Sequence, residues 1–259
     1  MRRNSFFAGS FYPNSSSDID ALIREFDKFS KAEKTNKIKA LIAPHAGYIF
    51  SGYSANEAYR SIEPAEFERV VIIGPSHHHY FEKISVGEFD SVETPYGDIE
   101  FDKQLANRLR SIEGVTFESE AHKEHSTETQ FSFVKKYLPK AKIVEIVYGQ
   151  ADIESIKKCV NMVLDEAKTL LIISTDLSHF YTLDEAKRLD SICLEAVKHL
   201  EASKIQTGCE ACGAPGIYAL LSAAKQKDLK PKLLDYRTSA DASGDTNRVV
   251  GYMSAVFEG

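Results

Sequence analysis

The chain lacks several features that would place it in a specialised class of protein. Its 259 residues include only 4 cysteines, and no stretch reaches the roughly 18 consecutive apolar residues that a transmembrane helix requires. Acidic residues outnumber basic ones by 38 to 32, and the net charge of -6 gives no general attraction to nucleic acid or an anionic membrane. No long apolar stretch follows the basic N-terminus, so we expect no export signal. We therefore expect a cytoplasmic protein with reduced thiols that neither spans a membrane nor binds nucleic acid.

The hydrophobic pattern predicts one large α/β domain over residues 1–259. Apolar runs rich in β-branched residues alternate with segments of helical spacing, which is typical of a mostly parallel sheet covered by helices on both faces. We therefore predict a three-layer α/β/α sandwich. Predicted strands cover residues 37–43, 70–73, 143–147, 170–173 and 249–256, and predicted helices cover residues 17–29, 54–62, 103–112, 127–137, 153–167, 183–200 and 215–225. Residues 84–99 break the alternation, so we expect a local antiparallel excursion there.

Histidines follow three of the predicted strands. His45 comes after the first strand, His77 after the second, and His179 after the fourth, where Asp176 lies close by. In an open α/β sheet, ligands bind outside the carboxyl ends of the strands, because the loops converge there. Imidazoles gathered at one edge are ligands that suit a transition metal. The sequence therefore predicts that His45, His77 and Asp176 lie at one edge of the sheet, in a metal-type site.

Each of these residues also has a simpler interpretation when it is taken alone. A lone histidine is more often a hydrogen-bonded loop or core residue than a ligand. Adjacent side chains of an extended segment point in opposite directions, so we expect His78 to point away from a metal bound by His77, while the role of His79 stays open. Asp176 is as typical of a cap at a turn or helix as of a catalytic group. His179 could act as a general base, orient a substrate or hydrogen-bond a ligand.

His125, near the start of a predicted helix, is a further candidate catalytic residue. His125 and Glu128 are three residues apart and could share one face of the helix. The same segment has the features of a helix N-terminus, with Ser126 or Thr127 as the cap and Gln130 in capping-box spacing. The sequence leaves both interpretations open.

The cysteines fall into two groups. Cys209 and Cys212 form a Cys-x-x-Cys pair just before a predicted helix. One such pair is weak evidence for a redox or zinc motif, since neither a thioredoxin-like context nor a second pair of ligands is evident. Cys212 is nevertheless a candidate ligand, because the N-terminal end of a helix favours a thiolate. Cys159 and Cys193 fall within predicted helices, where buried and inert thiols are expected.

Six motifs follow one another along the chain. They are residues 8–13 (Ala-Gly-Ser-Phe-Tyr-Pro), 43–48 (Ala-Pro-His-Ala-Gly-Tyr), 74–78 (Gly-Pro-Ser-His-His), 124–128 (Glu-His-Ser-x-Glu), 174–179 (Ser-x-Asp-x-Ser-His) and 212–213 (Cys-Gly). Together they closely resemble the Memo family, known in prokaryotes as AmmeMemoRadiSam system protein B, over almost the whole chain. That family is similar to class III extradiol ring-cleaving dioxygenases, which implies an α/β/α sandwich with non-haem iron at the carboxyl edge of the sheet.

The resemblance also implies a set of site residues. His45, His77 and Cys212 would form a metal triad, with Asp176 and His179 lining the same cleft. Two histidines would occupy positions similar to two dioxygenase iron ligands, and Cys212 would stand where those enzymes use a carboxylate. A site of two histidines and one carboxylate suits Fe(II) and oxygen activation, whereas a thiolate softens the site and makes copper competitive.

These features lead to one main functional hypothesis and two alternatives. The main hypothesis is a redox protein that binds one transition-metal ion per chain, iron or copper, and acts on an unknown small substrate; zinc also fits the ligands. One alternative is a non-catalytic module that binds a peptide or protein in the ancestral cleft. The other is a zinc-assisted hydrolase. The family name further implies an association with AMMECR-type and radical-SAM proteins. An extra histidine at position 79 and an extra cysteine at position 209 depart from the family pattern.

Overall fold

A mixed sheet of nine strands forms the centre of the computed structural model, which describes residues 1–35 and 37–259. A second, three-stranded sheet contains the N-terminal residues. The strands are β1 (Arg2–Arg3), β2 (Ile38–Ala43), β3 (Arg69–Pro75), β4 (Ile84–Val86), β5 (Ser91–Val92), β6 (Ile99–Glu100), β7 (Val115–Thr116), β8 (Lys142–Tyr148), β9 (Thr169–Ser174), β10 (His179–Tyr181), β11 (Lys230–Thr238) and β12 (Val249–Glu258).

Helices cover both faces of the large sheet, so the predicted three-layer α/β/α sandwich is confirmed. They are α1 (Ser16–Asp27), α2 (Tyr48–Arg60), α3 (Lys103–Arg110), α4 (His125–Tyr137), α5 (Ile153–Asp165), α6 (Leu183–His199), α7 (Ala202–Gln206), α8 (Ala214–Gln226) and α9 (Ala240–Ser243), with 3-10 turns at Pro64–Glu66 and Ser119–His122. Helices α1, α2 and α4 pack together, and α5, α7 and α8 form a separate packed group. Among the residues described, no helix combines the length and apolar character needed to cross a membrane.

Four parallel strands occupy the middle of the large sheet, in the order β2, β9, β3 and β8. Their apolar residues are buried, as expected for strands that are covered on both faces. The last predicted strand is present as β12, but it runs antiparallel to β2, and β11 pairs with it as an antiparallel strand that the sequence did not predict. The excursion expected within residues 84–99 is present, since β5 and β6 pair antiparallel.

A buried ionic network attaches the N-terminal segment to the rest of the fold. The Arg3 guanidinium bonds the Glu128 carboxylate and lies 3.2 Å from Glu145 Oε1. Glu145 also accepts a hydrogen bond from His122 Nδ1 at 2.8 Å, and Glu128 accepts one from the Tyr12 hydroxyl at 2.8 Å. Glu128 is thus committed to this network, and the interpretation in which it shares a site with His125 is not supported. We call Arg3, His122, Glu128 and Glu145 the anchoring network.

A disulfide joins Cys193 of α6 to Cys209, across a sequence separation of 16 residues. The expectation that all thiols are reduced is therefore wrong, and so is the interpretation of Cys193 as an inert thiol. The pairing depends on how α6, α7 and α8 pack, which the spacing of cysteines along the sequence does not reveal. Cys159 is a free, buried thiol as predicted, and Cys212 is also free.

Candidate metal centre

Three adjacent parallel strands bring the predicted site residues to one edge of the sheet. His45, Asp176 and His77 each lie two residues beyond the ends of β2, β9 and β3, respectively. Strand β9 lies between β2 and β3, with Ala43 opposite Ser174 in the register. The prediction that the three residues follow different strands at the same edge is confirmed.

Three potential ligand atoms converge at this edge. His45 Nε2 lies 3.3 Å from Cys212 Sγ, and one ligand atom each from His45, His77 and Cys212 all lie within 4.8 Å of one another. We call these three residues the donor cluster. Cys212 comes from a different part of the chain, the residue before the Gly213 cap of α8. The fold therefore assembles two imidazoles and a thiol from three distant segments.

Hydrogen bonds fix the ring of His45 with one nitrogen free. The Ser174 hydroxyl donates to the Ser126 carbonyl, so its oxygen must accept from His45 Nδ1, which lies 3.1 Å away. That assigns the ring proton to Nδ1. The lone pair of Nε2 therefore faces Cys212, as a metal ligand requires.

A buried carboxylate fixes His77 in the same manner. Glu124 Oε1 lies 3.0 Å from His77 Nδ1, and Glu124 Oε2 accepts the backbone N–H groups of His77 at 2.6 Å and His78 at 3.3 Å. This leaves Nε2 of His77 as the unengaged ring nitrogen. A carboxylate that holds the far nitrogen of a histidine is a recurrent support of metal sites.

The position of Cys212 depends on a close approach of two backbone segments. The Asp176 N–H donates to Cys212 Sγ at 3.3 Å, and the Gly213 N–H donates to Thr175 Oγ1 at 2.9 Å. A Cβ on Gly213 would lie 2.5 Å from Thr175 Cβ. Only glycine therefore fits beside the thiol, which gives a physical reason for the Cys-Gly motif.

Burial controls the protonation of the donor cluster. Desolvation, together with neighbouring histidines, holds the pKa of His45 well below its ordinary value, so its imidazole is neutral and able to bind metal. Burial and the nearby Asp176 raise the pKa of the Cys212 thiol to about 12. This direction is opposite to the expectation that the start of α8 favours a thiolate before metal arrives, because desolvation outweighs the hydrogen bonds that favour the thiolate. A bound metal ion must displace the thiol proton.

The pKa values of two acidic groups of the site shift in opposite directions. Desolvation raises the pKa of Asp176 above its ordinary value. Burial alone would also raise the pKa of Glu124, but hydrogen bonds from His125 and His77 hold it well below its usual range. Glu124 is therefore a carboxylate that pairs with imidazoles at neutral pH.

The three predicted catalytic residues lie around the donor cluster. Asp176 Oδ1 accepts the backbone N–H of His45 at 2.8 Å, so the side chain bonds another strand end rather than capping its own turn. His179 is the first residue of β10 and is partly buried. His125 is the first residue of α4, and its ring centroid lies 4.5 Å from that of His77 and 5.4 Å from that of His45.

The neighbouring histidines face other partners. His78 stacks on Phe7 and its Nε2 lies 2.9 Å from His125 Nδ1, so it stands apart from the donor cluster. His79 stacks on Phe81. Beside the donor cluster, a cleft of about 500 Å³ is lined by residues 75–81 and 148–151, together with Cys212.

Sequence reasoning missed the residues that support the ligands. Glu124, rather than Ser126 or Thr127, caps α4, and its side chain accepts the Ser126 N–H at 3.0 Å. Ser174 holds His45 from the end of β9. A ligating histidine needs a partner for its second nitrogen, and that rule could have singled out polar residues beside the histidines.

Comparison with known proteins identifies a family and its relatives. The family model described as "Memo-like protein" matches residues 3–256. A "MEMO1 family protein" of Aquifex aeolicus is 34% identical, with 98% of each chain covered. A "MEMO1 family protein" of Archaeoglobus fulgidus is 31% identical, with 98% of this chain and 99% of the relative covered. The chain belongs to the Memo family.

Proposed function

We propose that the chain binds one transition-metal ion, iron or copper, at the donor cluster and uses it in a redox reaction on a small substrate. The observation that carries this proposal is the convergence of His45, His77 and Cys212, with one ligand atom of each within 4.8 Å of the others. Each histidine is also held through its other nitrogen, which leaves Nε2 for an ion.

The chemistry of the three ligands supports iron or copper. Imidazole suits both metals, and the Cys212 thiolate favours a softer ion such as Cu(I). Three protein ligands leave coordination positions open for a substrate or oxygen. When bound, such an ion would supply electron transfer or activation of a bound ligand.

The surrounding residues would bind substrate and move protons. His179 is partly exposed and lies close enough to Asp176 for its charge to act on that carboxyl group, so it is the group we assign to proton exchange with substrate. The Asp176 carboxylate positions His45 by accepting the backbone N–H of His45. His125, next to Glu124, would hold a proton beside His77.

A second candidate function, a peptide-binding module, is favoured by an exposed aromatic side chain in the cleft. Tyr80 lines the cleft and is 74% exposed. Exposed aromatic side chains beside a cleft are typical of recognition surfaces. This function would need no bound metal.

Metal analysis of protein purified without oxygen would test the proposal. We expect about one iron or copper ion per chain, lost in Cys212→Ala and kept in Cys159→Ala. Cys159 is the matched control because it is the other free cysteine and lies buried in α5. Affinity should fall at low pH, because the ligands must lose their protons to bind.

Oxygen consumption with candidate small substrates distinguishes the alternatives. Metal-dependent oxygen uptake supports the redox function. Zinc that is lost in Cys212→Ala, with no oxygen uptake, would favour a hydrolase at the donor cluster, and absence of any metal would favour the peptide-binding module. Equal metal content in both cysteine variants would remove Cys212 from the site.

A further inference from the structure

We propose that His77, Glu124 and His125 form a second metal position, which binds a harder divalent ion than the donor cluster does. This inference goes beyond the proposed function, in which His125 only holds a proton. It rests on a separate convergence of ligand atoms on the other side of the His77 ring.

The distances match those of a ligand set around one ion. Glu124 Oε1 lies 3.0 Å from His77 Nδ1 and 3.1 Å from His125 Nδ1, and one ligand atom from each of the three residues lies within 4.8 Å of the others. Bonds of ~2.0–2.2 Å in tetrahedral geometry separate ligand atoms by roughly 3.3–3.5 Å. Each contact with Glu124 therefore needs to open by only a few tenths of an ångström.

The fold holds this set in place before any ion binds. The Glu124 side chain is 1% exposed, and three backbone N–H groups donate to it, those of His77, His78 and Ser126. The ring of His125 lies against Phe11, with centroids 4.6 Å apart. The carboxylate and one imidazole are thus positioned by backbone and packing rather than by each other alone.

The ligand types distinguish the two positions. Two imidazoles and a carboxylate suit Zn²⁺ or Mn²⁺, whereas the thiolate of Cys212 makes the donor cluster softer. His77 belongs to both sets, because Nδ1 faces Glu124 and Nε2 is left for the donor cluster. One imidazole therefore connects a soft position to a harder one.

Binding at the second position requires several hydrogen bonds to break. His78 Nε2 lies 2.9 Å from His125 Nδ1, the same nitrogen that would bind the ion. The protons that His77 Nδ1 and His125 Nδ1 share with Glu124 must also leave. Removing the His78 ring should therefore leave metal affinity equal or increase it.

Equilibrium dialysis with Zn²⁺ on the full chain would test the inference in a Cys212→Ala background, which removes the soft ligand. We expect one Zn²⁺ per chain, and more than about 100-fold weaker binding when His125→Ala is added, above the 10–100-fold range of a supporting residue. In the same background, His78→Ala should bind as tightly as its parent or more tightly.

Two controls keep the test decisive. His125→Gln, which preserves a polar side chain at the start of α4, replaces His125→Ala if circular dichroism shows that the alanine variant is misfolded. A loss of less than about 100-fold with a folded His125 variant would overturn the second position. Because the measurement is made without the Cys212 thiol, it stands whether or not the donor cluster holds iron or copper.

Discussion

The anchoring network and the donor cluster are both buried groups of polar side chains, but they satisfy their polar atoms differently. In the anchoring network, a guanidinium faces two carboxylates, and charges of opposite sign lie in direct contact. In the donor cluster, a thiol and two imidazole rings face one another, and each brings a lone pair to the same small volume.

The difference lies in which atoms remain free. Glu145 accepts from Arg3, from His122 at 2.8 Å and from Thr127 at 2.5 Å, so its carboxylate is fully used within the protein. In the two histidines of the donor cluster, the ring nitrogens used within the protein are those facing away from the centre, such as His45 Nδ1. A buried network that uses its own atoms stabilises the fold, whereas one that leaves convergent atoms free is arranged for a ligand.

The largest effect we expect is from breaking the anchoring network. Arg3→Ala would leave Glu128 and Glu145 buried without their cationic partner, since the Arg3 side chain is 2% exposed and both glutamates are 0% exposed. Removing one partner of a buried ion pair costs about 3–5 kcal/mol. Urea denaturation should show this loss in the free energy of unfolding.

Arg2→Ala is the matched control for that variant. Arg2 is adjacent in sequence and pairs with Asp98 at 2.7 Å, but its side chain is 47% exposed. We expect its free energy of unfolding to equal that of the wild type within error. Similar losses in both variants would show that the N-terminal strand, rather than the buried charges, is responsible.

The second effect concerns the covalent support of the loop that carries Cys212. Cys209 lies three residues before Cys212 and forms a disulfide with Cys193. This disulfide closes a loop with a sequence separation of 16. Closing a loop of this length stabilises a protein by about 3 kcal/mol. A reductant should lower the free energy of unfolding of the wild type by about that amount.

The matched control for reduction is the double variant Cys193→Ala with Cys209→Ala. Its stability should not respond to reductant, because the remaining cysteines are free thiols. If the wild type also failed to respond, the disulfide would contribute nothing to stability.

Local patterns in the sequence were enough to predict the strands that carry the site. The five predicted strands all occur, because β-branched apolar runs favour strands covered on both faces. The rule that parallel strands end at a common edge then placed His45, His77 and Asp176 together. The inclusion of Cys212 came from the family resemblance, since Cys209 has the same local character.

Features that depend on distant contacts could not be predicted in this way. The pKa of the Cys212 thiol is raised by its burial and by the nearby Asp176, neither of which is evident from its position before a helix. The partner of Cys193 follows from helix packing, and β11 has a burial pattern too irregular to be recognised from alternation. Residues that use long-range hydrogen bonds, such as Glu124, resemble ordinary helix caps in the sequence.

The smallest effect we expect is a dependence of the free energy of unfolding on pH, which arises from the anchoring network rather than from the donor cluster. Burial alone would raise the pKa of Glu145, but the charges of Arg3 and His122 hold it below its ordinary value. A carboxyl group with a lowered pKa in the folded state stabilises the protein above its unfolded pKa of about 4.3, and this contribution is lost as the pH falls further.

Glu145→Gln should therefore differ most from the wild type in its free energy of unfolding near pH 7, and the difference should shrink below about pH 4.3. Urea denaturation at several pH values between neutral and acidic conditions would measure it. Glu25→Gln, whose carboxylate forms an exposed pair with Lys28, should show no such trend. A constant difference for Glu145→Gln across the whole range would mean that shape and hydrogen bonding, rather than charge, make the anchoring network stable.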